Sequence, residues 1–408
     1  MSEQHCVVIG GSHAAAQLTA SLRQEGWKGK ITMISAEPLL PYHRPPLSKT
    51  YLTGATHIDE LLIRPQSFYE QHDIHTMLGV SVTKIDRENK KLIIDGDAEL
   101  HYDKLAITTG SRVRKISLPG DHLPGVFYLR DAEDVDNIRH FVGSGKKAVV
   151  VGGGYIGLET ASALRKIGMD VTVLEALERV LQRVTAPEIS AFYTRVHEEE
   201  GVKILTDMAI SGIQGESRVS SVTCKDGTTL DADLVIIGVG IMPVTELAEE
   251  AGLQVNNGIV VDQYATTADP DIVAAGDCTW HFNPIYDREI RLESVQNALD
   301  QAKVAAAAIC GKPKTYNALP WFWSDQYDLK LQIAGLSQGF DQVVIRGDIT
   351  QGRQFAAFYL KEGRLLAVDA INSPKEFMIA KRVLAGGAIN PDPAKLADTS
   401  LDIKDILS

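Results

Sequence analysis

Short apolar runs alternate with segments of helical periodicity through the first three quarters of the chain. Residues 149–151 are all valine, residues 158–167 carry apolar side chains at helical spacing, and residues 171–174 form a second apolar run. This order predicts a parallel βαβ unit, because parallel strands need a crossover of about that length. The same order occurs near the start of the chain, at residues 6–9, 16–24 and 31–34.

The pattern changes at about residue 320 to short apolar runs separated by polar residues and glycine. Such runs are typical of an antiparallel sheet, and a helical pattern at residues 374–385 is expected to cover it. A chain of 408 residues should also split into two or three domains. The predicted fold class is therefore α/β, with two Rossmann-like dinucleotide-binding domains and a C-terminal α+β domain.

The turn after residues 149–151 reads G-x-G-x-x-G. Gly152 permits a tight turn, Gly154 lets the backbone approach a pyrophosphate, and Gly157 lets helix and strand pack closely. The helix N-terminus that follows favours an anion. Glu175 lies roughly 20 residues on, where an acid accepts from the ribose hydroxyls of an adenosine. A turn that served packing alone would not need this acid, so the segment predicts a dinucleotide site.

The first βαβ unit carries a weaker form of this turn, G-x-S-x-x-A, at Gly10, Ser12 and Ala15. Serine and alanine are the smallest substitutes for glycine, and they are tolerable only if neither position needs a positive φ. Glu37 follows the next apolar run, as an acid does in the second unit. Two dinucleotide units in one chain favour one site for FAD and one for a nicotinamide cofactor.

Further ligand contacts are expected where later apolar runs end, because the carboxyl ends of parallel strands form the binding edge of a doubly wound sheet. The residues at these ends are Thr109, Gly110, Gly238, Gly240 and Asp277. An acid such as Asp277 suits a sugar-like polyol, and a helix or turn cap is the alternative.

Composition narrows the function classes. The net charge of -12 argues against a nucleic-acid binder, whose phosphate contacts need a basic surface. No apolar run reaches the roughly 18 residues of a membrane span, and the first strand begins too early for a signal peptide. The four cysteines include no C-x-x-C, so neither a redox disulfide nor a metal site is predicted. A cytoplasmic protein with no nucleic-acid or membrane partner is expected.

Taken together, the motifs resemble those of one family. They are G-x-S at residues 10–12, P-Y-H-R-P-P-L-S-K at 41–49, G-G-G-Y-I-G-L-E at 152–159, A-G-D-C at 275–278, R-x-E-S at 291–294 and P-W-F-W-S-D-Q-Y at 320–327. In this order they look like the FAD-dependent NADH–ferredoxin reductases that feed bacterial cytochrome P450s and Rieske-type oxygenases, within the glutathione-reductase-like flavoproteins. The resemblance covers essentially the whole chain.

The resemblance implies an FAD-binding domain at residues 1–111 and 241–319, an NAD-binding domain at 112–240 and a C-terminal α+β interface domain at 320–408. It also implies that non-covalently bound FAD takes a hydride from NADH and passes single electrons to a [2Fe–2S] ferredoxin. No side chain is expected to act as an acid or a base. The oligomeric state stays open between a monomer and a weak dimer.

FAD contacts are expected from the motifs, the strand ends and the resemblance together. They are Gly10, Ser12, Ala14, Ala15, Ala36, Glu37, Arg44, Lys49, Val82, Thr109, Gly110, Arg130, Asp277, Glu293, Ser294, Val295 and Trp323. Arg44 and Lys49 lie on a Pro-stiffened loop and are cations that suit a pyrophosphate, with solvated surface charge as the alternative. The helix that opens at residues 293–295 is expected to turn its N–H groups towards the flavin. Ser12 departs from the glycine that is usual in the family.

Contacts to NADH are expected from the motifs, the strand ends and the resemblance together. They are Gly152, Gly154, Tyr155, Ile156, Gly157, Glu159, Glu175, Arg183, Gly238 and Gly240. Glu159, Glu293 and Trp323 are expected near the flavin and the nicotinamide. Tyr155 is either a lid over the nicotinamide pocket or a packing residue.

The choice of nicotinamide cofactor rests on the acid that ends the second run. The Glu175 carboxylate would accept from a ribose 2′-OH and repel a 2′-phosphate, which favours NADH over NADPH. Arg179 and Arg183 follow closely in the sequence and leave binding of a phosphate open.

Other members of the superfamily are alternatives. A disulfide reductase needs a cysteine pair near the flavin, and a peroxidase needs a cysteine within residues 39–44, where none occurs. A rubredoxin reductase stays open, as does an FAD- and NADH-binding interaction protein like apoptosis-inducing factor. Basic residues of the C-terminal region suit either a ferredoxin docking patch or ordinary scattered surface charge: Lys330, Arg346, Lys375, Lys381 and Arg382.

Overall fold

The computed structural model describes residues 4–407 of the chain. Its strands, in chain order, are β1 His5–Ile9, β2 Lys30–Ser35, β3 Ile74–Leu78, β4 Val82–Asp86, β5 Lys91–Ile94, β6 Ala98–His101, β7 Lys104–Ile107, β8 Ser111–Val113, β9 Val126–Phe127, β10 Lys147–Val151, β11 Asp170–Leu174, β12 Lys203–Leu205, β13 Ile210–Gln214, β14 Ser221–Cys224, β15 Thr229–Asp231, β16 Leu234–Ile237, β17 Ile241–Pro243, β18 Ile259–Val261, β19 Ile272–Ala274, β20 Thr279–Asn283, β21 Arg288–Ile290, β22 Trp321–Gln326, β23 Leu329–Gly335, β24 Gln342–Asp348, β25 Gln354–Lys361 and β26 Arg364–Ile371. The α-helices are α1 His13–Glu25, α2 Gln66–Gln71, α3 Ala132–Arg139, α4 Tyr155–Lys166, α5 Pro187–Glu199, α6 Glu246–Glu250, α7 Val295–Ile309, α8 Pro374–Gly386, α9 Pro393–Ala397 and α10 Ile403–Ile406. Short 3₁₀ helices lie at Pro45–Ser48 and Ile58–Leu61.

The chain divides into two compact units. The first unit contains residues 4–43, Asp59–Arg112 and Met242–Pro320. The second unit contains Arg44–Ile58, Val113–Ile241 and residues 321–407. Each unit is built from segments that are far apart in the sequence. The division into three domains stays a prediction.

A five-stranded parallel sheet organises the first unit, in the order β19-β7-β1-β2-β3. Cys6 and Val8 of β1 face one hydrophobic core, whereas Val7 and Ile9 face the other. A strand covered on both faces needs apolar side chains at every position, which explains the unbroken run in the sequence. On one face α1 packs against α7, and the many alanines of both helices allow a close approach. Two smaller sheets, β4-β5-β6 and β18-β20-β21, complete this unit.

The second unit contains a parallel sheet of the same kind, in the order β12-β11-β10-β16-β9. Helix α4 connects β10 to β11 and packs against both strands. Val149 and Val151 of β10 belong to a core that extends under the antiparallel sheet β13-β14-β15. The two βαβ units predicted from the sequence are therefore present, one in each unit of the chain.

Residues 321–407 form an antiparallel sheet in the order β22-β23-β26-β25-β24, with α8 packed against β23 and β26. The six central residues of β25 are all buried, since this strand also packs towards α5. The rings of Phe192 on α5 and Phe355 on β25 lie 4.8 Å apart in an edge-on arrangement. The predicted fold class, two Rossmann-like parts and a C-terminal α+β part, is confirmed.

Arg346 on β24 fastens the end of the chain to this sheet. Its guanidinium donates to the backbone carbonyls of Leu396, Asp398 and Leu401 at 3.3, 2.5 and 2.6 Å, and it pairs with Glu376 at 3.4 Å. Only 7% of the residue is exposed. Arg346 therefore has a structural role, and it drops out of the set of basic residues that suit a docking patch.

A buried carboxylate lies between the C-terminal sheet and the segment before α5. Asp369 on β26 accepts through Oδ2 from the Tyr359 hydroxyl at 2.5 Å and from Thr185 Oγ1 at 2.8 Å. Burial raises the pKa of Asp369 from 3.8 to about 6, although these two hydrogen bonds act in the opposite direction. Between those values the folded protein holds more protons than the unfolded chain, so stability falls as the pH rises through this window.

Replacing Asp369 with asparagine removes this ionisation and keeps an acceptor for Tyr359. We expect the stability of Asp369→Asn, relative to the unaltered protein, to rise by about 3 kcal/mol between about pH 3 and pH 7, because each pKa unit is worth roughly 1.4 kcal/mol. Urea unfolding at several pH values measures this difference.

Asp348 on β24 is a control of opposite sign. Hydrogen bonds from Gln351 and Thr350 lower the pKa of Asp348, so this carboxylate adds stability as the pH rises. Asp348→Asn should therefore lose relative stability as the pH rises to about 4, the ordinary pKa of an aspartate, and show little further change above it. A stability difference for Asp369→Asn that does not change with pH would show that Asp369 titrates normally.

Candidate functional site

The FAD contacts predicted in the first unit lie mainly at the carboxyl edge of its parallel sheet. Gly10 follows β1, Ala36 and Glu37 follow β2, Thr109 and Gly110 follow β7, and Asp277 follows β19. Parallel strands present these ends at one edge, which is where doubly wound sheets bind ligands. Val82 opens β4 and packs against the adjoining core.

The turn after β1 is shaped by its glycine. Gly10 has a φ of +124°, and a Cβ there would lie 2.3 Å from the carbonyl oxygen of Thr108. Ser12 is extended, with a φ of -130°, at the N-cap of α1, so serine fits this position without strain. A Cβ on Gly276 would lie 3.3 Å from Cβ of Ala14, so the loop that carries Asp277 lies against the first turn of α1.

Two carboxylates at this edge are oriented by neighbouring hydroxyls. The buried Tyr42 donates to Glu37 at 2.5 Å, and Ser111 donates to Asp277 at 2.9 Å. Tyr42 lies in a motif quoted from the sequence, but neither hydroxyl was predicted as a site residue. Only the fold shows that Ser111 lies beside a residue 166 positions away.

The N-terminus of α7 lies among the predicted flavin contacts. Ser294 is its N-cap and accepts from the backbone N–H of Asn297 at 3.1 Å, and Val295 is the first helical residue. Glu293, just before the cap, pairs with Arg291 at 2.5 Å.

These features of the first unit suit FAD. The N–H groups and the dipole at the N-terminus of the 13-residue helix α1 favour a diphosphate, and Gly10 keeps the approach to it free of a Cβ. Glu37 and Asp277 are acceptors of the kind that ribose and a polyol chain require.

In the glycine turn of the second unit, Gly152 and Gly157 lie close to neighbouring backbone, whereas Gly154 faces open space. A Cβ on Gly152, where φ is +110°, would lie 2.3 Å from the oxygen of Gly238, and one on Gly157 would lie 2.0 Å from the oxygen of Gly152. By contrast, a Cβ on Gly154 would meet no atom of the described residues within 4 Å. Gly154 is the N-cap of α4, so the open space lies at a helix N-terminus and suits a diphosphate.

Glu175 lies beside this turn. Its carboxylate accepts from the backbone N–H of Gly153 at 2.7 Å and from that of Leu177 at 2.9 Å. Gly240 has a φ of +109°, and its Cβ would lie 4.0 Å from the guanidinium of Arg183. The structure thus brings these predicted dinucleotide contacts to the same edge of the second parallel sheet.

Arg179 and Arg183, the two arginines that left the choice between NADH and NADPH open, differ in their surroundings. Arg179 donates to the carbonyls of Thr185 and Gln182 at 3.0 and 3.2 Å and to the hydroxyl of Ser190 at 2.6 Å. These bonds commit Arg179 to the local fold. Arg183 is exposed.

Tyr155 and Ile156 open helix α4. The Tyr155 ring lies 5.0 Å from that of Phe322, and its buried hydroxyl has no hydrogen-bond partner among the described residues. Ile156 is 47% exposed, a high value for a large apolar side chain. The packing interpretation of Tyr155 is therefore the one that the geometry favours, while Ile156 is accessible beside the open turn.

One helical turn further on, Glu159 is buried and fully engaged. Only 3% of the residue is exposed. Oε2 pairs with Lys49 Nζ at 2.5 Å and accepts from the Ser48 hydroxyl at 2.6 Å, and Oε1 accepts from the Ser324 hydroxyl at 2.6 Å. Charge-assisted bonds of this kind are what a buried carboxylate needs. Ser48 and Ser324 were not predicted as site residues, because they lie 111 and 165 positions from Glu159.

Three further predicted contacts, Arg44, Arg130 and Trp323, belong to the second unit. Arg44 donates to the backbone carbonyl of Arg130 at 2.9 Å, so the structure brings these two residues together. Trp323 precedes Ser324 on β22 and is half-buried, with its ring 5.5 Å from that of Trp321.

Comparison with known proteins gives matches along the whole chain. The family model described as pyridine nucleotide-disulphide oxidoreductase matches residues 4–302, and the model described as reductase C-terminal matches residues 321–407. Putidaredoxin reductase of Pseudomonas putida is 41% identical, over 100% of this chain and 97% of that protein. The crystal structure of the covalent putidaredoxin reductase–putidaredoxin complex superposes with a TM-score of 0.96 at 41% identity, over 99% of this chain and 98% of that one.

The chain belongs to the pyridine nucleotide-disulphide oxidoreductase family and, within it, to the ferredoxin reductases that are similar to putidaredoxin reductase. A second relative is the anthranilate 1,2-dioxygenase system ferredoxin–NAD(+) reductase component of Burkholderia cepacia, which is 39% identical over 100% of both chains. A rubredoxin–NAD(+) reductase of Pseudomonas putida is 37% identical, over 90% of this chain and 96% of that protein.

The cysteines of this ferredoxin reductase give no support for disulphide reduction by a cysteine pair. Cys6, Cys224, Cys278 and Cys310 are all free, and three of them are buried. Burial raises the pKa of the Cys278 thiol, next to Asp277, which makes it a poor nucleophile. Among the described residues no group of three metal-ligating side chains could hold an ion, and no helix has the length and apolar character that crossing a bilayer requires.

Two glycine-to-alanine substitutions separate packing from ligand binding in α4. Gly157→Ala should destabilise the protein by about 2 kcal/mol, because the added Cβ forces helix and strand apart. Gly154→Ala should keep nearly normal stability, because the space is open and its φ of -79° suits alanine. We expect Gly154→Ala to weaken NAD⁺ binding about tenfold, since the methyl group occupies the space assigned to the diphosphate.

Thermal unfolding and titration calorimetry measure the two properties. Normal NAD⁺ affinity in a folded Gly154→Ala protein would contradict the placement of the diphosphate at this helix.

Proposed function

We propose that this protein is a ferredoxin–NAD(+) reductase that takes a hydride from NADH and passes electrons one at a time to a [2Fe–2S] ferredoxin serving a cytochrome P450 or a Rieske-type oxygenase. The observation that carries the proposal is the pair of glycine cradles, each at a helix N-terminus with an acid at the next strand end. FAD supplies the conversion of a two-electron donor into one-electron steps.

The first unit holds the FAD in this proposal. The N-terminus of α1 binds the diphosphate, Glu37 accepts from the adenosine ribose, and Asp277 accepts from the ribityl chain. Tyr42 and Ser111 fix the directions of the two carboxylates before the cofactor binds, which lowers the entropy lost on binding. The roles of Arg44, Lys49, Arg130 and Trp323 as flavin contacts, and of Glu293 beside the nicotinamide, stay predictions.

The second unit holds the NADH. Gly154 and the N-terminus of α4 receive the diphosphate, and Glu175 accepts from the adenosine ribose. Arg179 is committed to backbone and hydroxyl partners, so of the two arginines the exposed Arg183 is the one left to favour a 2′-phosphate. Glu159 lies on the same helix, α4, and we assign it to the nicotinamide end of the cofactor. Protein groups bind and orient the reactants, and none has to move a proton.

Two other acceptor arrangements are compatible with the fold. The rubredoxin–NAD(+) reductase relative supports rubredoxin as an alternative one-electron acceptor. An interaction protein that binds FAD and NADH would be reduced by NADH without passing electrons on. A cytoplasmic location is part of the proposal, because the four cysteines are free thiols.

The acceptor is tested with the FAD-loaded protein, NADH and cytochrome c as the final electron acceptor. We expect reduction of cytochrome c to depend on added [2Fe–2S] ferredoxin and to be much slower with rubredoxin at the same concentration. Faster turnover with rubredoxin would favour the alternative acceptor, and NADH oxidation that no added carrier accelerates would contradict the reductase assignment.

Glu175 tests the choice of cofactor. Glu175→Arg should lower the ratio of kcat/KM for NADH over NADPH by at least about tenfold, because it replaces repulsion of a 2′-phosphate with attraction. Glu175→Gln is the matched control that keeps an acceptor and loses the charge, and its ratio should fall between the two. A ratio that stays unchanged in Glu175→Arg would remove Glu175 from the cofactor site.

A further inference from the structure

Glu159 is the end point of a chain of side-chain hydrogen bonds that crosses the second unit. The chain, called the donor chain below, consists of Tyr327, His197, Gln326, Ser324 and Glu159. Its four links measure 3.2 Å from Tyr327 to His197, 2.8 Å from His197 to Gln326, 3.2 Å from Gln326 to Ser324 and 2.6 Å from Ser324 to Glu159. The far end lies in a surface cleft of about 560 Å³ that Tyr327 lines together with Arg165 and Arg353.

The chemistry of the links fixes their direction. A carboxylate can only accept, so the Ser324 hydroxyl donates to Glu159. The oxygen of Ser324 then accepts from the amide N–H of Gln326, which turns the Gln326 carbonyl towards His197. His197 must therefore carry its proton on Nε2 and accept on Nδ1 from the Tyr327 hydroxyl. Every donor along the chain points towards the negative charge, an arrangement in which the bonds polarise and strengthen one another.

Because the members of the donor chain are buried, breaking one of its hydrogen bonds costs free energy. His197 and Ser324 are fully buried, and Gln326 is 2% exposed. Desolvation lowers the pKa of His197 to about 4, so the ring is neutral near pH 7, as the chain requires. A partner removed from such a network leaves a buried polar group unsatisfied.

The backbone of Tyr327 is unusual for its residue type. Tyr327 starts the two-residue turn between β22 and β23 with a φ of +53°, a left-handed conformation that glycine or asparagine adopts more readily. Its N–H donates to Ser162 on α4 at 3.1 Å, and its ring lies edge-on to His197 with centroids 5.1 Å apart. In this strained conformation the Tyr327 hydroxyl lies within hydrogen-bond distance of His197, which indicates that the position of the ring matters.

The other oxygen of Glu159 is held independently by Ser48 and Lys49. Oε1 has the Ser324 hydroxyl as its side-chain donor. The orientation of this oxygen thus depends on a hydroxyl whose own direction is set by Gln326 and His197.

We propose that Ser324, Gln326, His197 and Tyr327 are positioning residues that orient the Glu159 carboxylate on the dinucleotide-binding helix. The inference rests on the proposed function, since it takes Glu159 as a contact at the nicotinamide end of NADH. None of the four residues has to touch the cofactor, and each acts through the next.

Gln326→Met tests the middle of the chain, because methionine keeps the length of the side chain and removes both hydrogen bonds. In anaerobic rapid mixing of the FAD-loaded enzyme, we expect the second-order rate constant for flavin reduction by NADH to fall about tenfold. Reduction by dithionite, which needs no NADH site, should keep its normal rate.

Tyr193→Phe is the control for a disturbance of the same core. Tyr193 lies one helical turn before His197 on α5, and its buried hydroxyl has no hydrogen-bond partner among the described residues. Removing that hydroxyl should leave the rate with NADH unchanged, whereas Tyr327→Phe, the same change at the end of the donor chain, should lower it about threefold.

The tautomer of His197 is a readout that does not depend on activity. Long-range ¹H–¹⁵N correlation spectra of the ¹⁵N-labelled holoenzyme, assigned by loss of the signal in His197→Phe, should show the neutral ring protonated at Nε2 at pH 7 and at pH 5.5. A ring protonated at Nδ1, or a charged ring at pH 5.5, would overturn the donor chain even if Gln326→Met failed to fold.

The outcomes distinguish the inference from the proposed function. If NADH reduces the unaltered enzyme and Gln326→Met equally fast, the positioning role is overturned while the reductase assignment stands. If NADH does not reduce the flavin of the unaltered enzyme, the reductase assignment itself fails, and with it the role given to Glu159.

Discussion

The charge on Glu159 is the constraint on which the second unit depends. A carboxylate that is 3% exposed must be paired, because leaving such a charge buried without partners costs about 3–5 kcal/mol. Its partners come from a loop 111 residues earlier and a strand 165 residues later. These bonds are among the contacts, with those of Arg44 to Arg130 and Tyr51 to Asp136, that join the segment Arg44–Ile58 to the second unit although the chain on both sides of it belongs to the first.

Both units solve the problem of holding a dinucleotide with the same backbone geometry. Gly10 and Gly152 both have positive φ values, and in both a Cβ would lie 2.3 Å from a carbonyl oxygen of the neighbouring strand end. They differ in the third position of the motif. Gly157 approaches Gly152 too closely for a side chain, whereas the first unit has Ala15 within α1 and accepts it. The weaker motif therefore reflects a different helix packing, and the turn itself is equivalent.

Local pattern predicts local structure well in this chain and long-range contacts poorly. The run at residues 171–174 became Asp170–Leu174, and the helix expected at 158–167 became Tyr155–Lys166, which starts directly after its Gly154 cap. The strand ends that carry Glu37 and Asp277 were predictable because they follow short, mostly apolar runs. The hydroxyls that orient Glu37, Asp277 and Glu159 were not, since short polar side chains have no periodic signal and their partners are set by tertiary folding. The donor chain could not be predicted for the same reason, because its members come from α4, α5 and one hairpin and meet only in the folded protein.

The most direct test of the account is the rate at which NADH bleaches the flavin of Glu159→Gln in anaerobic rapid mixing. Glutamine keeps the size of the side chain and removes the charge that Lys49 and the two serines surround. The account predicts that this variant folds, retains FAD and is reduced by NADH at least about tenfold more slowly than the unaltered protein. Reduction of Glu159→Gln by NADH at the normal rate would contradict the claim that this buried carboxylate organises the dinucleotide site.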